Sequence, residues 1–271
     1  MVRSPGFQTT TSSDGTRIAY EVRGDGPPVV HVTGAICHRT FGPVRSGAKV
    51  LAQAFTVATY DRRGRGDSGD SPSWSLEREV DDISAVIAEL GGTALLYGHS
   101  SGAVLALHAA HRLSHQVERV VLYDASWAAD EADAATYADL RGEVGDLLDR
   151  DRPARALKRF LAGIGMPRVF VAVLPALPGW RRMRALAPTL RYDMDLTAQP
   201  PPLEVASQVS VPVHVIVGEK SPDELHRVAS TLAAAIPGAT HEVLAGQDHM
   251  VSEKALLPSL VRALCPDSRT H

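Results

Sequence analysis

Gly98-His99-Ser100-Ser101-Gly102, inside LLYGHSSGAV, is where residue type and spacing point most directly to chemistry. A continuous apolar run precedes it and an alanine- and leucine-rich run follows, so the pentapeptide sits at a strand-to-helix turn. A Cβ two positions from the apex of so sharp a turn would clash, so glycine is needed on both sides, and Ser100 is thrust out above the strand. A hydroxyl held there is a candidate nucleophile for acyl transfer. The N–H of Ser101 opens the helix, where unpaired donors and the helix dipole favour developing negative charge. A nucleophilic serine needs a base, and His249 in LAGQDHMV falls between a strand and a helix, from where a neutral imidazole can take and return the proton. The bland alternatives are a small-residue turn that only packs a helix closely and a surface histidine. The strand-turn-helix setting favours the chemical reading of both.

The elements that must position these groups follow from periodicity. FQTTTSSDGTRIAYEVRG reads as two short strands joined around Asp14-Gly15, so the chain opens antiparallel. PPVVHVTG, FTVATYD, TALLYG, VERVVLYD, VPVHVIVG and THEVLAG are short apolar strands. Val80, Ile83, Ile87 and Leu90 mark one helix face, stopped by Gly91-Gly92, and SGAVLALHAAHRLSH is a helix apolar on most sides and therefore buried. Leu225, Val228, Leu232 and Ile236 mark a further helix, and Leu256, Leu257, Leu260, Val261 and Leu264 the last. Strands alternating with helices require crossover connections, so the class is α/β, with a mostly parallel central sheet of about eight strands flanked by helices. Between Ser126 and Ser207 the alternation lapses into Ala-, Arg- and Pro-rich helical segments. The expected organisation is a core of residues 1–126 and 208–271 with a helical lid at 127–207.

Composition excludes several classes. The chain has 271 residues, 44% hydrophobic and 22% charged, enough for one sizeable core. A net charge of −3 and the lack of a Lys/Arg-rich run argue against a nucleic-acid binder, leaving a small-molecule partner. Cys37 and Cys265 stand far apart in no metal-binding spacing, and a reducing cytoplasm is expected. Four lysines against 24 arginines hint at a GC-rich bacterial genome. The N-terminal stretch lacks the apolar centre of a signal peptide, and no run is long enough for a membrane span. His108, His111 and His115 share a helix face without carboxylate or cysteine company, so packing is expected rather than a metal site. GRGDSG, Gly64 to Gly69, satisfies a dinucleotide pattern, but no helix opens after it and a structural loop is expected.

GHSSG, VTGAICHR, YDRRGRGDSG and GQDHM, in this order, resemble the elbow, oxyanion loop, structural loop and histidine loop of the α/β-hydrolase superfamily over nearly the whole chain. The resemblance implies that Ala35 N–H is the second oxyanion donor beside Ser101 N–H, although Thr33-Gly34 stands where the family commonly has His-Gly. It also exposes a departure. The family most often places its acid three residues beyond the glycine closing the seventh strand, which here is Ser221 in GEKSPD, and serine supplies no charge for an imidazolium. Glu219 and Asp223 are near, but Asp223 reads as a first-turn carboxylate of the following helix. Some branches, haloalkane dehalogenases among them, carry the acid after the sixth strand, where this chain has Asp124 in VVLYDASW. A carboxylate at that strand end shares the rim with Ser100 and His249. Asp124 is the preferred acid, with Asp223 and Glu219 left open.

The resulting expectation is a serine hydrolase of an ester, thioester or lactone of a small hydrophobic substrate, with no metal or cofactor, acting as a monomer or homodimer. Its catalytic set is Ser100, Asp124 and His249, with Ala35 and Ser101 as oxyanion donors. Trp127, Phe160, Met166, Val169, Phe170, Trp180, Met183 and Met194 are candidates to line an apolar cavity under the lid, about a third of them facing substrate. A lyase or cyclase with the same Ser and His, or a catalytically silent ligand-binding relative, are the alternatives.

Overall fold

A computed structural model describes residues 7–71 and 73–265. Residues 1–6, which belong to the expected core segment and to the stretch read for a leader, and residues 266–271 at its other end, lie outside the described residues.

Eight strands form one sheet in the order β1-β2-β4-β3-β5-β6-β7-β8. They are β1 (Gln8–Thr11), β2 (Arg17–Arg23), β3 (Pro28–Val32), β4 (Thr56–Tyr60), β5 (Ala94–His99), β6 (Val117–Tyr123), β7 (Val213–Gly218) and β8 (Thr240–Leu244). β1 with β2 and β2 with β4 are antiparallel, and every later pairing is parallel. The Asp14-Gly15 turn joins β1 to β2 as expected, with Gly15 taking the positive φ of 85°. Adjacent side chains on the central strands go to opposite faces, because the strand repeat is two residues. Leu96, Val120, Leu122, Val215 and Val217 pack into one apolar layer, and Leu95, Tyr97, Val121, Tyr123 and Ile216 into the other.

The first layer is covered by α2 (Leu76–Glu89), α3 (Ser101–Arg112) and α10 (Asp223–Ala235), the second by α1 (Gly42–Leu51) and α11 (Glu253–Leu264). α3 is buried on most sides, as its Ala/Leu content requires. α1 was not foreseen from the sequence. Gly42 and Gly47 give it poor intrinsic propensity, and what sustains it is Pro in its first turn and the buried stripe Val44, Gly47, Ala48 and Leu51. Gly47 lets α1 come close to α11, where a Cβ would fall 2.4 Å from Glu253 Oε1 and that side chain would have to move aside.

Between β6 and β7 run α4 (Glu131–Asp149), α5 (Pro153–Gly163), α6 (Arg168–Val173), α7 (Trp180–Ala185), α8 (Leu190–Thr197) and α9 (Leu203–Ser207). Leu140, Val144, Leu157, Phe160, Leu190 and Met194 make their own apolar cluster, against which Ala35 and Ile36 of the β3–α1 loop pack. Four of the eight residues expected as candidates for a cavity lining have clear places here. Val169 and Phe170 are 78% and 41% exposed, and Phe160 and Met194 are buried within the helices' own cluster. Alternating one-sided burial in short helices is not readable from hydrophobic content alone. No helix among the described residues is long and apolar enough to cross a membrane.

Candidate active site

β5 ends at His99, and Ser100 takes φ 59° and ψ −129° before α3 begins at Ser101. A non-glycine residue in this region is strained and persists only where its surroundings dictate it. The flanking glycines make the turn possible. A Cβ on Gly98 would lie 2.6 Å from Ala103 Cα, and one on Gly102 only 2.1 Å from Val32 O. Tyr123 O accepts a hydrogen bond from Ser100 N at 3.0 Å, which ties the turn to β6.

His249 lies in the loop between β8 and α11, with Nε2 3.2 Å from Ser100 Oγ. Its Nδ1 lies 3.1 Å from Asp124 Oδ2. Asp124 itself follows β6 with φ 45°, a second strained residue on the same rim. Its side chain is fully buried, and burial opposes its ionisation. Hydrogen bonds from His249, Ser221 and the Gly218 N–H outweigh that and hold the carboxyl below its ordinary value. Ionised Asp124 can only accept, so His249 Nδ1 carries the proton and Nε2 presents its lone pair to the Ser100 hydroxyl.

The structure thus brings Ser100, His249 and Asp124 together in one hydrogen-bonded row. Asp223 is exposed at the first turn of α10, and exposed Glu219 accepts from Gly246 N at 2.6 Å. The side-chain hydrogen bonds of His249 go to Asp124 and Ser100 instead. Asp248 is turned to solvent, with Oδ1 taking the Met250 N–H.

Ser221 has a place that the sequence did not reveal. Its Oγ donates to Asp124 Oδ2 at 2.6 Å, while Gly218 N donates to Oδ1 at 3.0 Å. The residue read only as a missing acid is a donor to the carboxylate one strand over. The available signal was its small hydroxyl, opposite Asp124 on neighbouring parallel strand ends. Three further groups were also missed. His99 donates from Nε2 to the His249 carbonyl at 2.9 Å, and burial, with the neighbouring His249, pushes its pKa down to about 4, so it is neutral. Tyr123 Oη donates to Asp248 O at 2.7 Å, steadying the same loop. Ser126 Oγ lies 3.2 Å from Ser100 Oγ and donates to Asp124 O at 3.1 Å, which leaves its lone pairs facing Ser100.

Gly34 of the β3–α1 loop abuts the serine: a Cβ there would sit 2.9 Å from Ser100 Cβ. The adjoining Ala35 and the first residue of α3, Ser101, therefore flank Ser100 from two elements. First-turn N–H groups of a helix have no intrahelical acceptor, which suits Ser101 N–H to an oxyanion. The GRGDSG stretch is a loop knotted around Asp61, which accepts from Arg39 N at 2.6 Å, Arg39 Nη1 at 2.8 Å and Asp67 N at 2.9 Å. Among the described residues no group of three or more His, Cys, Asp or Glu could hold a metal ion. His108 packs against Trp127 instead, ring centroids 6.5 Å apart.

Comparison with known proteins bears on the whole chain. The model of the "Alpha/beta hydrolase family" matches residues 29–257. A crystal structure of an alpha/beta hydrolase from Sphaerobacter thermophilus is similar at 38% identity, with TM-score 0.84, over 95% of this chain and 100% of that one. The enol-lactonase from Burkholderia xenovorans shares the fold, with TM-score 0.70 and 21% identity over 95% of this chain and 99% of its own. An uncharacterized hydrolase of Bacillus subtilis is 32% identical over 119 residues, which are 42% of this chain and 43% of the relative, so the chain spans less than half of that relative's length.

Proposed function

The chain belongs to the alpha/beta hydrolase family, and on that premise we propose that it is a serine hydrolase cleaving an ester, thioester or lactone of a small hydrophobic substrate through an acyl-enzyme. The observation that carries this reading is the row Ser100 Oγ, His249 Nε2, His249 Nδ1, Asp124 Oδ2, linked at 3.2 and 3.1 Å. Ser100 Oγ attacks the substrate carbonyl as its proton passes to His249 Nε2. Asp124 stays ionised and stabilises the imidazolium while fixing its tautomer. Ala35 and Ser101 N–H take the negative charge of the tetrahedral oxygen. Collapse breaks the bond to the leaving alcohol or thiol, which receives the proton from His249; in a lactone that group stays tethered to the acyl chain. Water then gives a proton to His249 and attacks the acyl carbon, and Ser100 leaves with that proton restored.

Residues 1–126 and 208–271 form the hydrolase core in this account, and residues 127–207 a cap beside the serine. Preference for a hydrophobic acyl group is supported by the apolar cluster of the cap packed against Ala35 and Ile36. A lactone is within the class because the acyl-enzyme route makes no distinction between a free and a tethered leaving group.

The test is hydrolysis of a panel of acyl esters, thioesters and lactones by wild type and Ser100→Ala, alongside labelling by a fluorophosphonate. The reading requires turnover and labelling in wild type and neither in Ser100→Ala. Ligand binding without labelling or turnover would instead indicate a silent binder.

A further inference from the structure

Asp193 comes from α8, 92 residues after Ser101 in sequence, and is fully buried beside the candidate site. Its Oδ1 accepts from Ser101 Oγ at 2.7 Å and from Arg62 Nη1 at 2.7 Å, and its Oδ2 from Arg65 Nη2 at 2.5 Å. Burial opposes ionisation of this carboxyl, and the charges of Arg65 and Arg62 with their hydrogen bonds overcome it, so it is an anion held below its ordinary pKa. Arg62 has a second carboxylate, Glu79, at 2.6 Å, whereas Asp193 is the carboxylate that Arg65 pairs with.

Arg65 in turn grips the β3–α1 loop. Nη1 donates to Gly34 O at 2.8 Å and approaches Cys37 O at 3.5 Å, while Nε has no hydrogen-bond partner among the described residues, so these contacts and Asp193 fix the guanidinium. The gripped segment needs holding, because Ile36, between the two carbonyls, sits at φ 52°, a region a β-branched residue avoids. In a trans peptide the carbonyl and the following N–H point in opposite directions. Fixing Gly34 O toward Arg65 therefore turns Ala35 N–H the other way, with Ser100 against Gly34.

We infer that Asp193 is a positioning residue for both halves of the oxyanion hole, holding Ser101 directly through its hydroxyl and the Gly34–Ala35 peptide through Arg65. This rests on the serine-hydrolase reading above and extends it: the cap supplies the anion that sets the two donors. Cap and oxyanion hole are then one unit. A cap displaced by even an ångström loosens the hole without touching Ser100, His249 or Asp124.

Three variants test this, each measured for kcat, KM, melting temperature and inhibition by an alkyl boronic acid, whose tetrahedral adduct places an oxygen in the hole. Ser101→Ala keeps the backbone N–H and the helix start and removes the hydroxyl's links to Asp193, at 2.7 Å, and to Arg62 Nη1, at 3.4 Å. Arg65→Lys keeps the charge but cannot reach Gly34 O and Asp193 with a planar fork. Asp193→Asn removes the anion. Loss of one oxyanion donor outright costs about 10²- to 10³-fold in kcat, and loosening it costs less. The expected losses in kcat are about 3- to 10-fold for Ser101→Ala and about 10- to 100-fold for the other two, with KM within about twofold of wild type. Boronate affinity should fall in step with kcat.

Should Asp193→Asn fail to fold, Ser101→Ala and Arg65→Lys carry the test. Lowered melting temperature with kcat and boronate affinity unchanged, or a rise in KM alone, would overturn the inference and leave Asp193 as a cap anchor. Ser100→Ala run in parallel keeps the two readings apart: retained turnover there would remove the serine mechanism itself, whatever the other variants did.

Discussion

Replacing Asp124 by Asn changes one oxygen to an amide nitrogen and should invert the proton on His249. Gly218 N–H, a fixed backbone donor 3.0 Å from Oδ1, requires an acceptor at that position, so the amide oxygen goes there. The NH₂ then takes the place of Oδ2, where Ser221 Oγ at 2.6 Å can turn to accept but His249 Nδ1 at 3.1 Å must become an acceptor. Nε2 is left protonated and has no lone pair for the Ser100 hydroxyl 3.2 Å away. The charge that stabilises the imidazolium is lost as well. In a triad, such a change costs roughly 10³- to 10⁴-fold in kcat, which is about 4 to 5.5 kcal/mol of transition-state stabilisation. Steady-state hydrolysis of a p-nitrophenyl ester, with fluorophosphonate labelling rates as a second readout, measures it. Asp223→Asn and Glu219→Gln are the comparison, each expected to cost less than about threefold, because both side chains are exposed and His249 Nδ1 hydrogen-bonds Asp124 instead. A mild effect at Asp124 with a large one at either of the others would refute the reasoning and move the acid to the loop after β7.

Ser221→Ala removes a charge-assisted donor to Asp124 while sparing its charge, so kcat should fall about tenfold, given about 1.5 kcal/mol for such a hydrogen bond; the ester assay reads this, and Ser221→Asp, which puts a like charge against Asp124, should be worse. Asp193 gives a pH signature. Its folded pKa is depressed, so the stability it contributes is complete above the unfolded value of about 3.9 and disappears as pH falls through the folded one. The melting-temperature gap between wild type and Asp193→Asn should therefore be constant from neutral pH down to about pH 4 and narrow below it. A gap that instead widened in acid would contradict the ionised, paired carboxylate.

The strands along the chain were readable from it, and Ser100 and His249 stood out by a local pattern of apolar strand, turn and helix, whereas Asp124 was preferred only through the resemblance to branches that carry an acid after the sixth strand. The buried glycines confirm why that pattern is so restrictive, since Gly98 and Gly102 have no room for a Cβ. What could not be read was carried by contacts between distant segments. Arg62 and Asp193 are 131 positions apart and meet only when α8 folds onto the β4–α2 connection. Ser221 looked like a vacancy because the sequence shows which group is absent from a loop, and only the register of β6 against β7 shows which group it faces. α1 escaped notice for the opposite reason: its two glycines weaken the helical signal that its packing on β4 and α11 overrides.

The central claim is that catalysis passes through a covalent bond to Ser100. Acid-quenching the enzyme during turnover of an activated ester and determining the intact and peptide masses tests it most directly. One added acyl group is expected on the peptide containing Ser100, absent from Ser100→Ala, which should also be inactive. Continued ester turnover by Ser100→Ala, with no acyl group found on Ser100 of the wild type, would contradict it.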